Sequence, residues 1–313
     1  MFLPFPQFVL AEKNKCPLKC PYFCLLSGII KNIATQTFGS ERERYVYPSG
    51  LIDKEVQREV FNMKALVTGA SSGIGRDMAR SLSRRGADLI LVARRVDRLE
   101  QLKAELDTNV QVIGADLSQS QACFDLYDQI KNQGVDIVIN NAGFGLFGAF
   151  DQTDLERELE MIDTNIRAVH ILTKLFLRDF VKKDHGYLLN VASSAAFLPG
   201  PLLSTYYATK SYVLRLTEAV YEELRRRESH VGISVLCPGP VQTEFNDVAD
   251  CRFSVKGLNS QRVAEYAIRK MLHKDLVIVP GGLMKATRFA ERFFSEKMLL
   301  RMCYHMQKRK IKA

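Results

Sequence analysis

The chain has 313 residues, 47% of them hydrophobic and 25% charged, which is ordinary for a globular protein with a sizeable core. Its longest apolar runs fall far short of the roughly 20 residues that a membrane-spanning helix needs. The net charge is +9, but residues 285–313 hold nine Lys or Arg and two Glu, so +7 of it sits in that tail. The rest of the chain is near neutral, and a general nucleic-acid surface is not implied.

Residues 1–62 lack sustained periodicity and mix aromatics, prolines and cysteines ahead of a polar stretch, SERERYVYPSG. The opening MFLPFPQFVLAEKNK is apolar but has two prolines and no leading positive charge, so it makes a poor secretory signal. The seven cysteines are therefore expected as free thiols in a reducing cytoplasm. Cys16, Cys20 and Cys24 are spaced C-x3-C-x3-C, without a fourth ligand, and the five histidines show no metal-ligand spacing. No metal is expected. A short helix is expected near Asp53 to Phe61. Met63 then opens a clean strand, MKALVTG. A chain begun there would keep all the chemistry, so 1–62 reads as a dispensable extension or an upstream misread start.

From Met63 onward, short apolar runs alternate with helical patterns. After the first strand, strands are expected at 89–93, 110–115, 135–140, 187–192, 231–237 and 275–280. These runs are nearly continuous, as strands covered on both faces are. Helices are expected at about 73–86, 96–107, 118–133, 154–183, 204–228 and 260–273. Seven strands alternating with six helices predict an α/β, doubly wound, mostly parallel sheet with helices on both faces. The expected division is an extension over 1–62, a dinucleotide-binding catalytic domain over 63–284 and a basic amphipathic tail over 285–313.

The first strand runs into Gly69, Ala70, Ser71, Ser72, Gly73, Ile74 and Gly75, directly before a helix. Glycines there let the chain turn sharply and let a pyrophosphate approach the backbone, while the helix N-terminus offers free N–H groups. At the first strand–helix junction of a doubly wound fold this predicts a dinucleotide site. The second strand ends in Arg94 and Arg95, where an NAD-binding fold usually places an acid for the ribose 2′-hydroxyl. An arginine fork instead suits a 2′-phosphate, so NADP(H) is predicted over NAD(H), with Arg94 leading and Arg95 assisting. Asp116, at the end of the third strand, can accept from an adenine amino group or cap the next helix. Asn141, Ala142 and Gly143 end the fourth strand, small enough for a cofactor ribose to pass close by.

Ser193 to Lys210 holds a hydroxyl, a phenol and an ammonium. Tyr206 and Lys210 are four apart, one turn apart on one helix face. An ammonium beside a phenol favours the phenolate, which equips the pair to move a proton near neutral pH. Spacing alone does not choose between Tyr206 and Tyr207, and the same pattern also occurs as an ordinary surface pair.

In order along the chain, TGASSGIG (68–75), NNAG (140–143), Ser193, YYATK (206–210) and CPGPVQT (237–243) resemble the landmarks of the short-chain dehydrogenase/reductase family. The resemblance covers about residues 63–280 and is closest to bacterial reductases with an NAGFG-type loop. It implies a Rossmann-type fold. It also implies Tyr206 as general acid in reduction and base in oxidation, settling the choice against Tyr207. Lys210 would lower the Tyr206 pKa and hold the nicotinamide ribose, and Ser193 would polarise the substrate oxygen. Asn165 would hold a water that relays protons to Lys210; by itself it reads as a helix-kinking polar residue. Pro238, Gly239, Val241 and Thr243 would frame the nicotinamide end. Assembly as a dimer or tetramer is implied by analogy alone.

Apolar walls are expected from Phe144, Leu146, Phe147, Phe197, Leu198, Val241 and Phe245. They predict an apolar ketone, an aldehyde or the matching secondary alcohol. The tail can pack on the body or lie on an anionic membrane, and packing is expected. The reading is an NADP(H)-dependent carbonyl reductase or alcohol dehydrogenase; the alternative is a non-catalytic NADPH-binding regulator or scaffold.

Overall fold

The computed structural model describes residues 60–245 and 257–308. The expected helix near 53–61, the cysteine cluster at 16–24 and Cys251 lie outside them, apart from Val60 and Phe61, which form a turn. The first half runs β1 (Lys64–Thr68), α1 (Gly73–Ser83), β2 (Asp88–Ala93), α2 (Val96–Ala104), β3 (Val110–Gly114), α3 (Ser120–Ile130) and β4 (Ile137–Asn140). There follow α4 (Leu155–Ile162), α5 (Val169–Lys183), β5 (Tyr187–Val191), α6 (Ser204–Arg226) and β6 (Gly232–Leu236). The chain continues through β7 (Val241–Gln242), β8 (Leu258–Asn259), α7 (Ser260–Leu272), β9 (Val277–Ile278), α8 (Gly282–Ala290) and α9 (Glu296–Lys308).

Seven strands form one sheet in the order β3-β2-β1-β4-β5-β6-β9, and every pairing is parallel. The strand order reverses between β1 and β4, which is where a doubly wound sheet opens a crevice at its carboxyl edge. Period-two alternation divides the sheet between two helix layers. Ala65, Val67, Leu89, Leu91, Ile137 and Ile139 face the layer of α1, α2 and α7, while Leu66, Ile90, Val92, Val138 and Leu188 face that of α3, α5 and α6. Both faces are covered, so the strands are mostly apolar, with buried Thr68, Asn140, Asn190 and Ser234 as polar exceptions.

Three expectations shift. The pattern over 154–183 is not one α-helix: a π-helical segment, Asp163–Ala168, separates α4 from α5. The helix expected from 118 begins at Ser120, because Ser118 is held in a turn by Asp116. The strand expected over 275–280 shortens to Val277–Ile278, and the residues after Gly239 add a small parallel pair in which Val241 meets Leu258.

The folded body also reaches back past position 63. Val60 is fully buried in the core under α1, and Phe61 lies against Gly86. A chain begun at Met63 would therefore lose a core side chain. Val60→Ala is expected to cost about 2 kcal/mol, from two lost methyl groups and the cavity they leave. Urea denaturation at constant m-value measures this, against Phe61→Ser, which alters a mostly exposed ring.

Candidate active site

The candidate residues gather at the carboxyl edge of the sheet. After β1, Gly69 and Gly73 take positive φ values of +65° and +56°, where a side chain would be strained. A Cβ at Gly69 would lie 2.8 Å from Ala142 Cα, and one at Gly75 only 2.3 Å from Asn141 Nδ2. The turn is therefore pressed against the end of β4. Thr68 and Asn141 lock that contact. Thr68 Oγ1 accepts from the amides of Asn141 (3.0 Å) and Ala142 (3.1 Å), and Asn141 Nδ2 donates to Thr68 O (3.0 Å) and Gly69 O (3.2 Å).

Ser72 precedes α1 in extended conformation and makes no side-chain cap, and the first turn of α1 has no acid. The leading N–H groups thus keep their affinity for an anion. Narrow glycine backbone, an uncapped helix start and a crevice at the strand reversal fit the pyrophosphate of a dinucleotide. Arg95 and Arg94 part company beside it. Arg95 Nη2 reaches Ser71 Oγ and Ser72 Oγ, both at 3.2 Å, whereas Arg94 Nη1 pairs with Glu160 Oε1 at 2.8 Å. The arginine expected to lead is engaged elsewhere, and the assisting one faces the glycine turn. Asp116 accepts from the Ser118 amide at 3.1 Å and hydroxyl at 2.9 Å.

Tyr206 and Lys210 share one face of α6, and both are buried. Lys210 Nζ lies 5.8 Å from the centroid of the Tyr206 ring and donates to Val191 O, at the end of β5, at 3.0 Å. Burial pulls its pKa down to about 8. The Cys237 thiol opposes this only weakly, because burial pushes that thiol itself up to about 12 and leaves it neutral. Asn165 sits in the π-helical segment, fully buried. Its Nδ2 donates to Phe144 O (2.9 Å) and Thr209 Oγ1 (3.1 Å), and its Oδ1 accepts from the Phe144 amide (3.1 Å). Thr209 in turn donates to Tyr206 O at 2.7 Å. Both amide hydrogens of Asn165 are used, so a water held there would have to donate to its Oδ1 or bond its backbone. Gly143 fits between these groups: a Cβ would lie 2.7 Å from Asn165 Oδ1 and 3.3 Å from Lys210 Nζ.

Ser193 is extended at the end of β5, and its Oγ accepts from the Ala195 amide at 3.1 Å. Its hydroxyl hydrogen remains to be donated. Ser194 donates its amide to Pro238 O at 2.8 Å, which ties this strand end to the loop after β6. Thr243 lies against Gly73, and Gly239 against Met284 of α8.

Phe144, Tyr206, Leu203 and Met161 form one apolar cluster with Leu146, Phe147 and Phe245. The Phe245 ring lies 5.4 Å from that of Tyr206. Two expected walls belong elsewhere. Val241 joins the main core, and Phe197 packs toward α8, with the Arg288 guanidinium 4.7 Å above its ring. Sequence reasoning missed Glu158. This carboxylate is buried and accepts from Thr153 Oγ1 and from Thr205 Oγ1 (2.8 Å), so it joins the loop after β4 to the residue before Tyr206. Nothing in LERELE sets it apart from a solvated helix face.

The matching family model is short chain dehydrogenase, over residues 63–250. An uncharacterised oxidoreductase of Staphylococcus epidermidis is 32% identical over 217 residues, which cover 68% of this chain and 93% of that one. A short-chain dehydrogenase from Sphingobium yanoikuyae in complex with NADPH is 29% identical with a TM-score of 0.68, covering 74% of this chain and 92% of that one. A short chain dehydrogenase/reductase from Burkholderia phymatum in complex with NAD matches in fold at 24% identity and TM-score 0.68, covering 75% of this chain and 94% of that one. The chain belongs to the short-chain dehydrogenase family: it is an oxidoreductase of alcohol and carbonyl groups that uses a nicotinamide dinucleotide.

The depressed pKa of Lys210 has a consequence for stability. Between about pH 8 and the ordinary lysine value the unfolded chain holds a proton that the folded chain has released, so stability rises with pH in that window. The burial penalty is fully present below pH 8. Between about pH 8 and the ordinary lysine value the apoprotein is expected to gain up to about 1.4 kcal/mol per pH unit relative to Lys210→Met. Parallel denaturation series for the two proteins measure the difference.

Proposed function

We propose that this chain is an NADP(H)-dependent carbonyl reductase, working in reverse as a secondary-alcohol dehydrogenase, on an apolar substrate. The observation that carries the reading is the buried Lys210 ammonium beside the Tyr206 ring at the mouth of the dinucleotide crevice.

When bound, the nicotinamide supplies a hydride to the carbonyl carbon or takes one from the alcohol. The chain's own residues manage the oxygen. As the carbonyl bond opens, its electron pair moves onto oxygen, and Tyr206 gives that oxygen its phenolic proton. In oxidation Tyr206 takes the proton back. Lys210 holds positive charge beside the phenol, which stabilises the phenolate left behind. Ser193 donates its free hydroxyl hydrogen to the same oxygen and polarises it. Asn165 acts through Thr209 on the backbone of Tyr206 and is a positioning residue. Phe144, Leu146 and Phe245 exclude water and favour an apolar substrate.

The preference for NADP(H) is assigned to Arg95, which shares the glycine turn with Ser71 and Ser72. A guanidinium flanked by two hydroxyls suits a 2′-phosphate. The bound NADPH of the Sphingobium relative supports the same choice.

Turnover of NADPH and NADH against apolar ketones, aldehydes and 3-oxoacyl esters tests both parts. Tyr206→Phe is expected to lower kcat by about 10²- to 10⁴-fold while cofactor still binds. Arg95→Ala is expected to lower kcat/KM for NADPH about 10- to 100-fold and to leave NADH nearly unchanged. Arg94→Ala, which leaves Glu160 paired with Arg157, is expected to do less. Equal losses with both cofactors would overturn the assignment of Arg95. Tight NADPH binding without turnover across the panel would favour a cofactor-sensing protein.

A further inference from the structure

The tail packs with one face and leaves another outward. Inward, Cys303 and Gln307 of α9 are buried, and the Gln307 amide donates to the Tyr207 hydroxyl. Arg288 of α8 pairs with Glu218 at 3.8 Å. Outward, Phe289 and Phe293 are 53% and 71% exposed, edge to face at 5.3 Å. Leu300, Tyr304 and Met306 are exposed as well. On α9, Lys297, Leu300, Arg301, Tyr304 and Lys308 follow one another at intervals of one to four residues and all face outward. The acid among these outward residues, Glu296, opens the helix, where the dipole favours it.

We propose that this outer face docks the protein peripherally on a bilayer containing anionic lipid. An ordinary exposed helix face is polar, and scattered apolar residues need no explanation. On α9 Leu300 and Tyr304 share one face with Lys297, Arg301 and Lys308, the pattern of a helix lying in a membrane interface. Lys and Arg can bury their stems among acyl chains while their heads meet phosphates, and Tyr suits the headgroup level. Charge points the same way. The tail carries +7 of the chain's +9, and three of its nine cations lie in the sequence beyond α9, at 309–313. Each basic residue near an anionic leaflet adds attraction. No helix among the described residues is long and apolar enough to cross a membrane.

The position also matters. Gln307, on the inner side of α9, ties that helix to Tyr207, the neighbour of Tyr206, so α9 lies beside the candidate active site. A substrate drawn from lipid would then have a short path; this clause alone rests on the reductase reading.

Sedimentation of the full chain with vesicles tests the docking without any turnover. Binding is expected to vesicles with about 30% phosphatidylglycerol, not to phosphatidylcholine alone, and to weaken in about 0.5 M salt. Two double variants, Phe289→Ser with Phe293→Ser and Lys297→Glu with Arg301→Glu, should each lower the partition coefficient about tenfold or more. Unchanged melting and NADPH binding would confirm that these variants are folded. Equal binding to both vesicle types, undiminished binding of the variants, or binding to heparin without binding to vesicles would overturn the proposal. Failure of the reductase assay would leave these outcomes readable.

Discussion

A single buried ammonium organises the carboxyl edge of this sheet. Lys210 is almost fully enclosed, donates to one backbone carbonyl, and owes no part of its shifted pKa to a carboxylate among the described residues. Burying an ammionium without an ion-pair partner is costly, so the surroundings must hold it in place. The end of β5 supplies the acceptor at Val191. Gly143 supplies the space, since a side chain there would collide with Asn165 and crowd Lys210. The π-helical segment gives Asn165 the offset to reach both Phe144 and Thr209. An uncompensated charge beside a phenol in a crevice costs stability, and the proposed proton transfer is what that cost would serve.

The polar interior behind that site serves its geometry. Asn140 donates to Thr173 and Asn190, Asn190 donates to Thr217, and Thr217 donates to Val213 O. These bonds join β4 and β5 to α5 and α6, the elements that carry Gly143, Ser193, Tyr206 and Lys210. In a purely apolar core the two layers could slide by fractions of an ångström at little cost. Directional bonds between buried amides and hydroxyls remove that freedom, because breaking one leaves a desolvated polar group. Thr68 and Asn141 do the same for the glycine turn. The glycine turn and the Tyr206–Lys210 pair are thereby fixed relative to one another.

The tail illustrates how a segment can be both packed and available. Its basic, apolar-rich sequence allowed packing or membrane contact as alternatives. In the folded chain Gln307 and Cys303 lie inward, while Phe293, Leu300 and Tyr304 are exposed.

Much of the fold was legible from the sequence because its signals are local. Doubly covered strands read as continuous apolar runs, the glycines before α1 answer to backbone geometry, and Tyr206 and Lys210 are neighbours on one helix by spacing alone. The interruption of the 154–183 helix was not legible, since it depends on where the Asn165 amide finds partners 21 and 44 residues away. Arg94 and Arg95 are equivalent in sequence; only Glu160, on α4, draws one away from the glycine turn. Glu158 looks like any surface acid until Thr153 and Thr205 enclose it. Phe197 and Val241 look like pocket walls until α8 and the main core claim them. The sequence by itself therefore determined the sheet, the dinucleotide turn and the phenol–ammonium pair, whose causes lie within a few residues of chain. Which arginine faces the turn, how Lys210 is enclosed and which side of the tail meets solvent were decided by tertiary structure, because each depends on partners distant in sequence.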